Sequence, residues 1–164
     1  MRHPLINRAI FVLALIGLLI AGALWYWHSH PQDIPCGPSG GCEDVANSPY
    51  SRLPVGTGPP IAMYGTIGYA AILILAFLRT MPAIAADGRR DGAARTMILL
   101  GAIFGALFSV RLTYMEISPD YIHAICKWCM ASQVIILLIL GLSLTDTVQA
   151  MRGRGLVERE GAGT

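Results

Sequence analysis

Four cysteines are the residues of this sequence whose types and spacing are best suited to chemistry. Cys36 and Cys42 are separated by five residues, and Cys126 and Cys129 form a C-x2-C pair. Cysteines this close in sequence can form and break disulfide bonds by thiol–disulfide exchange, which requires a reactive thiolate. The same thiols also suit two other roles, a four-thiolate zinc site or two static structural disulfides. Zinc ribbons usually carry two C-x2–4-C pairs, which the C-x5-C pair does not match.

The two pairs have different surroundings. Between Cys36 and Cys42 lies the segment Gly-Pro-Ser-Gly-Gly, which bends readily because glycine tolerates positive φ. Such a bend can bring the two Cα atoms to the distance of about 5.5 Å that a disulfide needs. Cys126 and Cys129 stand at the predicted start of a helix, where the unpaired N–H groups and the helix dipole favour a thiolate, and Lys127 adds a positive charge nearby. This position predicts a lowered thiol pKa, which exchange chemistry requires.

The composition shows what kind of element must position these thiols. Of the 164 residues, 54% are hydrophobic and only 13% are charged, against about 25% charged in a soluble domain. The formal charge of +2 argues against a basic nucleic-acid binder, and the apolar content excludes a disordered chain. Four apolar stretches are long enough to cross a bilayer, namely residues 9–27, 60–78, 96–115 and 126–144. We therefore predict an all-α membrane protein, a four-transmembrane-helix bundle with a long extracytoplasmic loop between helices 1 and 2.

The distribution of basic residues predicts the orientation of the bundle. Nine of the twelve Lys and Arg residues lie in residues 1–8, 79–95 and 145–164, whereas the connections 28–59 and 116–125 contain only Arg52. The positive-inside rule then places both termini in the cytoplasm and all four cysteines on the extracytoplasmic side. An even number of cysteines in an oxidising compartment favours disulfide chemistry over metal binding, so no metal ligand is predicted.

The domain organisation is predicted to be simple. Residues 1–150 should form a single redox domain, followed by a cytoplasmic tail of residues 151–164. Arg2, Arg8 and the triplet at residues 21–23 also resemble a secretory signal with a cleavage site. The apolar run continues to Trp27, beyond the 7–15 residues usual in a signal core, and this length favours a retained span.

Two motifs resemble the vitamin K epoxide reductase family. The first runs from Cys36-x5-Cys42 through Val45 and Ser48 to Gly58-Pro59-Pro60, which opens the second helix. The second is Ile125-Cys126-Lys127-Trp128-Cys129-Met130-Ala131-Ser132, which opens the last helix. The resemblance covers about residues 9–145. Gln133 stands where animal members carry a tyrosine, which argues against vitamin K epoxide itself as the substrate.

The resemblance implies a four-helix bundle that encloses a quinone, of the ubiquinone or menaquinone type, in the inner (plasma) membrane. It also implies that Cys126 and Cys129 form the redox centre, with Cys129 nearest the quinone and Ser48 beside the quinone pocket. Cys36 would meet a separate thioredoxin-like partner, and Cys42 would relay electrons to Cys126. The expected function is a membrane thiol–quinone oxidoreductase that supports disulfide formation.

Arg111 lies near the outer end of the third predicted span. It could contact a quinone oxygen or pair with Glu116. An arginine near a helix end more often extends its charged group toward the membrane interface, and this interpretation is favoured here.

Overall fold

A computed structural model of the protein describes residues 4–30, 33–35, 41–121 and 124–161. The helices, in chain order, are α1 (Pro4–His28), α2 (Gly41–Asn47), α3 (Ile61–Leu78), α4 (Pro82–Ala85), α5 (Gly88–Ile117) and α6 (Lys127–Gly161). A 3-10 turn covers Pro49–Ser51, and the described residues contain a single isolated β-bridge, between Arg52 and Pro60. α1, α3, α5 and α6 are each long and apolar enough to cross a membrane. The predicted fold class, an all-α protein with four membrane-spanning helices, is confirmed.

The predicted spans are the apolar parts of these four helices. α5 begins before the predicted span 96–115, where the Asp87 side chain accepts hydrogen bonds from the N–H groups of Arg89 and Arg90 and caps the helix. α6 begins at Lys127, so Cys126 lies immediately before the helix, and its backbone continues to Gly161, into the predicted tail. The domain boundary at residue 150 stays a prediction.

The bundle packs around small and β-branched side chains. α1 packs along α3 and α6, and α5 packs along α6, whereas α3 and α5 are in less extensive contact. Alanine at the helix contacts allows backbones to approach closely, which is how membrane helices gain van der Waals contact without a hydrophobic driving force. The buried cluster consists of Ile10, Ala14, Ala21, Tyr69, Ile72, Ala76, Ile98, Ala102, Ile135, Ile136 and Ile139.

The outer surface of the bundle is apolar, as a lipid-facing surface must be. Large side chains such as Leu19, Ile67, Phe104 and Leu107 are between 57% and 73% exposed. A soluble protein rarely exposes contiguous apolar surface on this scale. The protein is therefore a multi-pass membrane protein.

A network of charged side chains joins the four spanning helices at the end of the bundle opposite the C-x2-C pair. Arg79, at the end of α3, donates from Nε to Asp91 Oδ1 (3.1 Å), from Nη2 to Asp146 Oδ2 (2.9 Å) and from Nη1 to Asn7 Oδ1 (3.1 Å). Arg95 bonds the same two aspartates at 2.9 and 3.1 Å. We call these five residues the four-helix ion cluster; its two arginines and two aspartates balance in charge.

The described part of the connection from α1 to α3 lies at the other end of the bundle, beside the C-x2-C pair. The Ser51 hydroxyl donates to the Ser48 carbonyl (2.7 Å) and lies 2.9 Å from Nε2 of His28, which ties the 3-10 turn to the end of α1. Gly58 lies against the Leu53–Pro54 peptide bond and leaves no room for a Cβ atom. This close approach explains why the motif that opens the second spanning helix contains glycine here.

Candidate redox site

The C-x2-C pair caps the start of α6. Cys126 is 2% exposed and Cys129 is half-buried, and both are free thiols in the structure. The backbone N–H of Cys129 donates to Sγ of Cys126 at 3.4 Å. The sulfur therefore occupies the position of an N-cap acceptor, where it satisfies one of the unpaired N–H groups of the first helical turn.

This position controls the acidity of Cys126, which lies outside the spanning helix. Hydrogen bonds from the Cys129 thiol and from the backbone N–H groups of Cys129 and Trp128 lower the pKa of the Cys126 thiol, although burial and the nearby Glu116 oppose the shift. The sequence predicted a lowered thiol pKa at this helix start. The partners that lower it are the thiol and N–H groups of the first turn, whereas Lys127 is exposed.

Cys42 lies against the C-x2-C pair, although it is distant in sequence. It belongs to α2, is 2% exposed and is disulfide-bonded. Cys42, Val45 and Cys126 form one buried cluster against which Cys129 and Trp128 pack. Three of the four predicted redox cysteines therefore meet at one place. Cys36, the fourth, lies outside the described residues.

A close backbone contact holds α2 in this position. Gly41 begins the helix directly beside the segment before α6, and a Cβ atom on Gly41 would lie 2.7 Å from the carbonyl oxygen of Ile125. A side chain at residue 41 would therefore push Cys42 away from Cys126.

We accordingly expect Gly41→Ala to slow thiol exchange between Cys42 and Cys126. Displacement of reacting groups by about 1 Å can cost up to ~100-fold in rate. The measurement is the rate at which a Cys42–Cys126 mixed disulfide accumulates in a Cys129→Ala background. Gly22→Ala is the matched control, because a Cβ there meets nothing within 4 Å. Equal rates in the two variants would contradict this account of α2.

A cavity of ≈ 400 Å³ extends from the three cysteines into the bundle. Its walls are mainly apolar and include Leu24, Ile72, Leu75, Phe104, Phe108 and Leu112. A few polar groups lie among them, such as Tyr69, whose hydroxyl donates to the Ser132 carbonyl (2.8 Å). Apolar cavities of this size with few polar groups are typical of sites for small organic ligands. The residues therefore fit a quinone with its isoprenoid chain.

The comparison with known families agrees with this arrangement. The family model described as "Vitamin K epoxide reductase family" matches residues 8–144, from α1 into α6, which is most of the chain.

The chain belongs to the vitamin K epoxide reductase family.

Search of curated proteins gives no match to the chain. Membership in the vitamin K epoxide reductase family identifies the protein as a membrane oxidoreductase that acts on thiols and disulfides. Within residues 4–30, 33–35, 41–121 and 124–161, no three His, Cys, Asp or Glu side chains are grouped as a metal site would require.

Ser48, which the family resemblance predicted near the quinone, has a capping role in the structure. Its side chain accepts a hydrogen bond from the N–H of Tyr50 at 3.2 Å at the start of the 3-10 turn. Ser48 is not among the residues that line the cavity, whereas Ser51 and His28 are. Contact between Ser48 and a quinone stays a prediction, and Ser51 is the described serine of this turn that faces the cavity.

Glu116 is the residue of this site that the sequence did not reveal. It is 4% exposed, its Oε2 accepts from the N–H of Cys126 at 3.2 Å, and its carboxylate interacts electrostatically with the Cys129 thiol. The only signal in the sequence was an acidic residue at the end of an apolar span, ten residues before Cys126. An ionisable residue at such a position in a membrane protein indicates a functional site.

Arg111 and Gln133 occupy different places relative to the cavity. Arg111 is exposed, which agrees with an arginine that extends toward the membrane interface, and no ion pair of the described residues joins it to Glu116. Gln133, where animal family members carry tyrosine, accepts a hydrogen bond from Thr113, a residue of the cavity wall. This bond links α5 to α6 beside the cavity.

Proposed function

We propose that this protein is a membrane thiol–quinone oxidoreductase that reoxidises a thioredoxin-like partner and so supports disulfide bond formation. The observation that carries the proposal is the meeting of Cys42, Cys126 and Cys129 at one end of an apolar cavity. A static structural disulfide does not require a cavity beside it, and a zinc site does not require an apolar cavity.

Electrons would pass through a series of four disulfide exchanges. A thiolate of the partner attacks Cys36 of the Cys36–Cys42 disulfide; a new partner–Cys36 bond forms, and Cys42 leaves as a thiolate. Cys42 then attacks Cys126 of the Cys126–Cys129 disulfide, and Cys129 leaves at the cavity and takes up a proton. A second thiolate of the partner displaces Cys36, which attacks Cys42 and displaces Cys126, so that the partner and Cys36–Cys42 are disulfides and Cys126 and Cys129 are reduced. Burial of Cys42 against Cys126 supports the second exchange, because the attacking and attacked residues are already in one cluster.

The cavity walls would hold the quinone. A bound quinone supplies a two-electron, two-proton acceptor, so that the Cys126–Cys129 disulfide can be restored. Met97 and Phe104 line the cavity and are also exposed on the outer surface of the bundle, at 59% and 73%. The cavity therefore reaches the lipid-facing surface, as entry of a membrane-dissolved ubiquinone or menaquinone requires.

The site would face the extracytoplasmic side of the inner (plasma) membrane. The positive-inside distribution of Lys and Arg supports this orientation, with both termini in the cytoplasm. Thiols on this side can meet a secreted thioredoxin-like protein, and a quinone acceptor is how a bacterial periplasm is kept oxidising.

The test uses the purified full-length protein in detergent, under anaerobic conditions, with a reduced thioredoxin-like protein and ubiquinone or menaquinone. Alkylation of the remaining thiols reports the redox state of both proteins. The proposal expects quinone-dependent oxidation of the partner, lost in Cys126→Ala. Binding of stoichiometric zinc without redox turnover, or two disulfides that never exchange, would overturn it.

A further inference from the structure

Glu116 is in contact with two cavities. It lines the apolar cavity that contains the thiols, and it also lines a second cavity of ≈ 550 Å³. The walls of the second cavity include Asp44 of α2 and Lys127 at the start of α6, both of which are exposed. Glu116 thus connects the buried thiol pair with a polar, solvent-facing opening.

Glu116 bonds the C-x2-C pair directly. Its carboxylate accepts from the N–H of Cys126 (3.2 Å) and interacts electrostatically with the Cys129 thiol, which lines the same apolar cavity. None of the ion pairs among the described residues includes it. A buried carboxylate without a cationic partner is costly unless hydrogen bonds compensate it, and here the observed donor is the N–H of Cys126, in the C-x2-C pair.

We propose that Glu116 is the proton acceptor for the Cys129 thiol and releases that proton through the second cavity. This inference rests on the proposed function and assigns a residue to its proton transfer. After the partner has been released, Cys129 is a thiol, as it is in the structure. In the step, its S–H bond breaks, the proton joins the Glu116 carboxylate, and the electron pair stays on sulfur as a thiolate. The protonated Glu116 then loses the proton to solvent beside Asp44 and Lys127. No electron leaves the protein in either transfer.

The geometry separates the route of the proton from the route of the electrons. The thiolate left on Cys129 stays at the apolar cavity, where an electron acceptor would bind. The proton leaves on the side of Glu116 that faces the second cavity. Among the described residues, the charged and titratable groups that face Glu116 are Cys126 and Cys129 from the start of α6, Lys127 beside them and Asp44 from α2.

The variant that tests the proposal is Glu116→Gln. The amide oxygen of glutamine can still accept from the N–H of Cys126, but the side chain cannot take up a proton. Loss of a general base typically lowers a rate by 10²–10⁴-fold, so we expect quinone-linked turnover to fall by at least about 100-fold and to lose its rise with pH. Glu116→Asp, which keeps an ionisable group, should recover part of the rate. Glu43→Gln removes an exposed acid beside Cys42 and should behave as the wild type.

A second readout does not depend on turnover. The negative charge of Glu116 opposes ionisation of Cys126, so its removal should shift the pH dependence of Cys126 alkylation to lower pH. Maleimide labelling of the reduced protein, resolved by mass spectrometry for each cysteine, measures this shift. A merely structural role of Glu116 would not produce slower turnover together with a more easily ionised Cys126.

The outcomes separate this inference from the proposed function. If the wild type has no quinone-linked turnover, the proposed function fails, while the alkylation measurement still tests whether Glu116 faces the thiols as an anion. A Glu116→Gln variant with wild-type turnover, or with an unchanged alkylation profile of Cys126, would overturn the assignment of Glu116 as proton acceptor.

Discussion

Cys129→Ala should abolish quinone reduction with every electron donor, whether that donor is a thioredoxin-like protein or a small dithiol. Cys129 lines the apolar cavity and is the thiol from which the relay is proposed to deliver electrons. Without it, the disulfide that ends the cycle cannot form, so no slower version of the same reaction remains. The measurement is the loss of quinone absorbance under anaerobic conditions.

Cys36→Ala is the matched contrast, because Cys36 is proposed to meet only the protein partner. This variant should lose oxidation of the thioredoxin-like protein but retain quinone reduction by a small dithiol that reaches Cys126–Cys129 directly. Loss of both reactions in Cys36→Ala would show that the assignment of roles to the two pairs is wrong.

Arg79→Ala should cause the largest loss of stability among single substitutions outside the thiol site. Arg79 is 8% exposed and bonds Asp91, Asp146 and Asn7, so its removal leaves two buried aspartates with Arg95 alone. Removing one member of a buried ion pair typically costs about 3–5 kcal/mol, because the remaining charge is buried without compensation. The measurement is the free energy of unfolding in a defined detergent micelle.

Two controls separate charge from packing in this prediction. Arg90→Ala breaks an ion pair with Asp87 in which the side chains are 68% and 42% exposed, and should cost at most about 1 kcal/mol. Adding Asp146→Asn to Arg79→Ala restores the charge balance of the cluster and should recover part of the loss. A double variant no more stable than Arg79→Ala would mean that packing, and not charge, dominates at this end of the bundle.

Much of the fold could be predicted from the sequence because membrane helices follow a simple physical rule. Backbone polar groups must be satisfied within the bilayer, so each long apolar run becomes a helix, and the four predicted spans lie within or next to α1, α3, α5 and α6. The position of the C-x2-C pair at a helix start was also predicted, because the last apolar run begins at Cys126. The lowered pKa of the Cys126 thiol follows from hydrogen bonds of the Cys129 thiol and of the N–H groups of the first turn.

The contacts between elements could not be predicted, because they depend on the tertiary arrangement of helices. The local sequence does not show that Gly41 allows α2 to approach the segment before α6, or that the Glu116 carboxylate accepts from the N–H of Cys126. Arg79 and Arg95 were counted as cytoplasmic basic residues, yet both belong to the four-helix ion cluster, where Arg79 is buried and Arg95 is half-buried. The positive-inside count still applies to them, because it depends on Lys and Arg and not on net charge.

We propose that electrons pass from Cys42 through Cys126 and Cys129 to a quinone. A stoichiometric titration measures this transfer directly. Limiting amounts of a reduced thioredoxin-like protein are added anaerobically to the full-length protein with ubiquinone or menaquinone. Quinone absorbance and the thiol state of each cysteine are then measured together. We expect one quinone reduced for every two partner thiols oxidised, with Cys126–Cys129 returned to the disulfide. Oxidation of the partner without any loss of quinone absorbance would contradict this proposal.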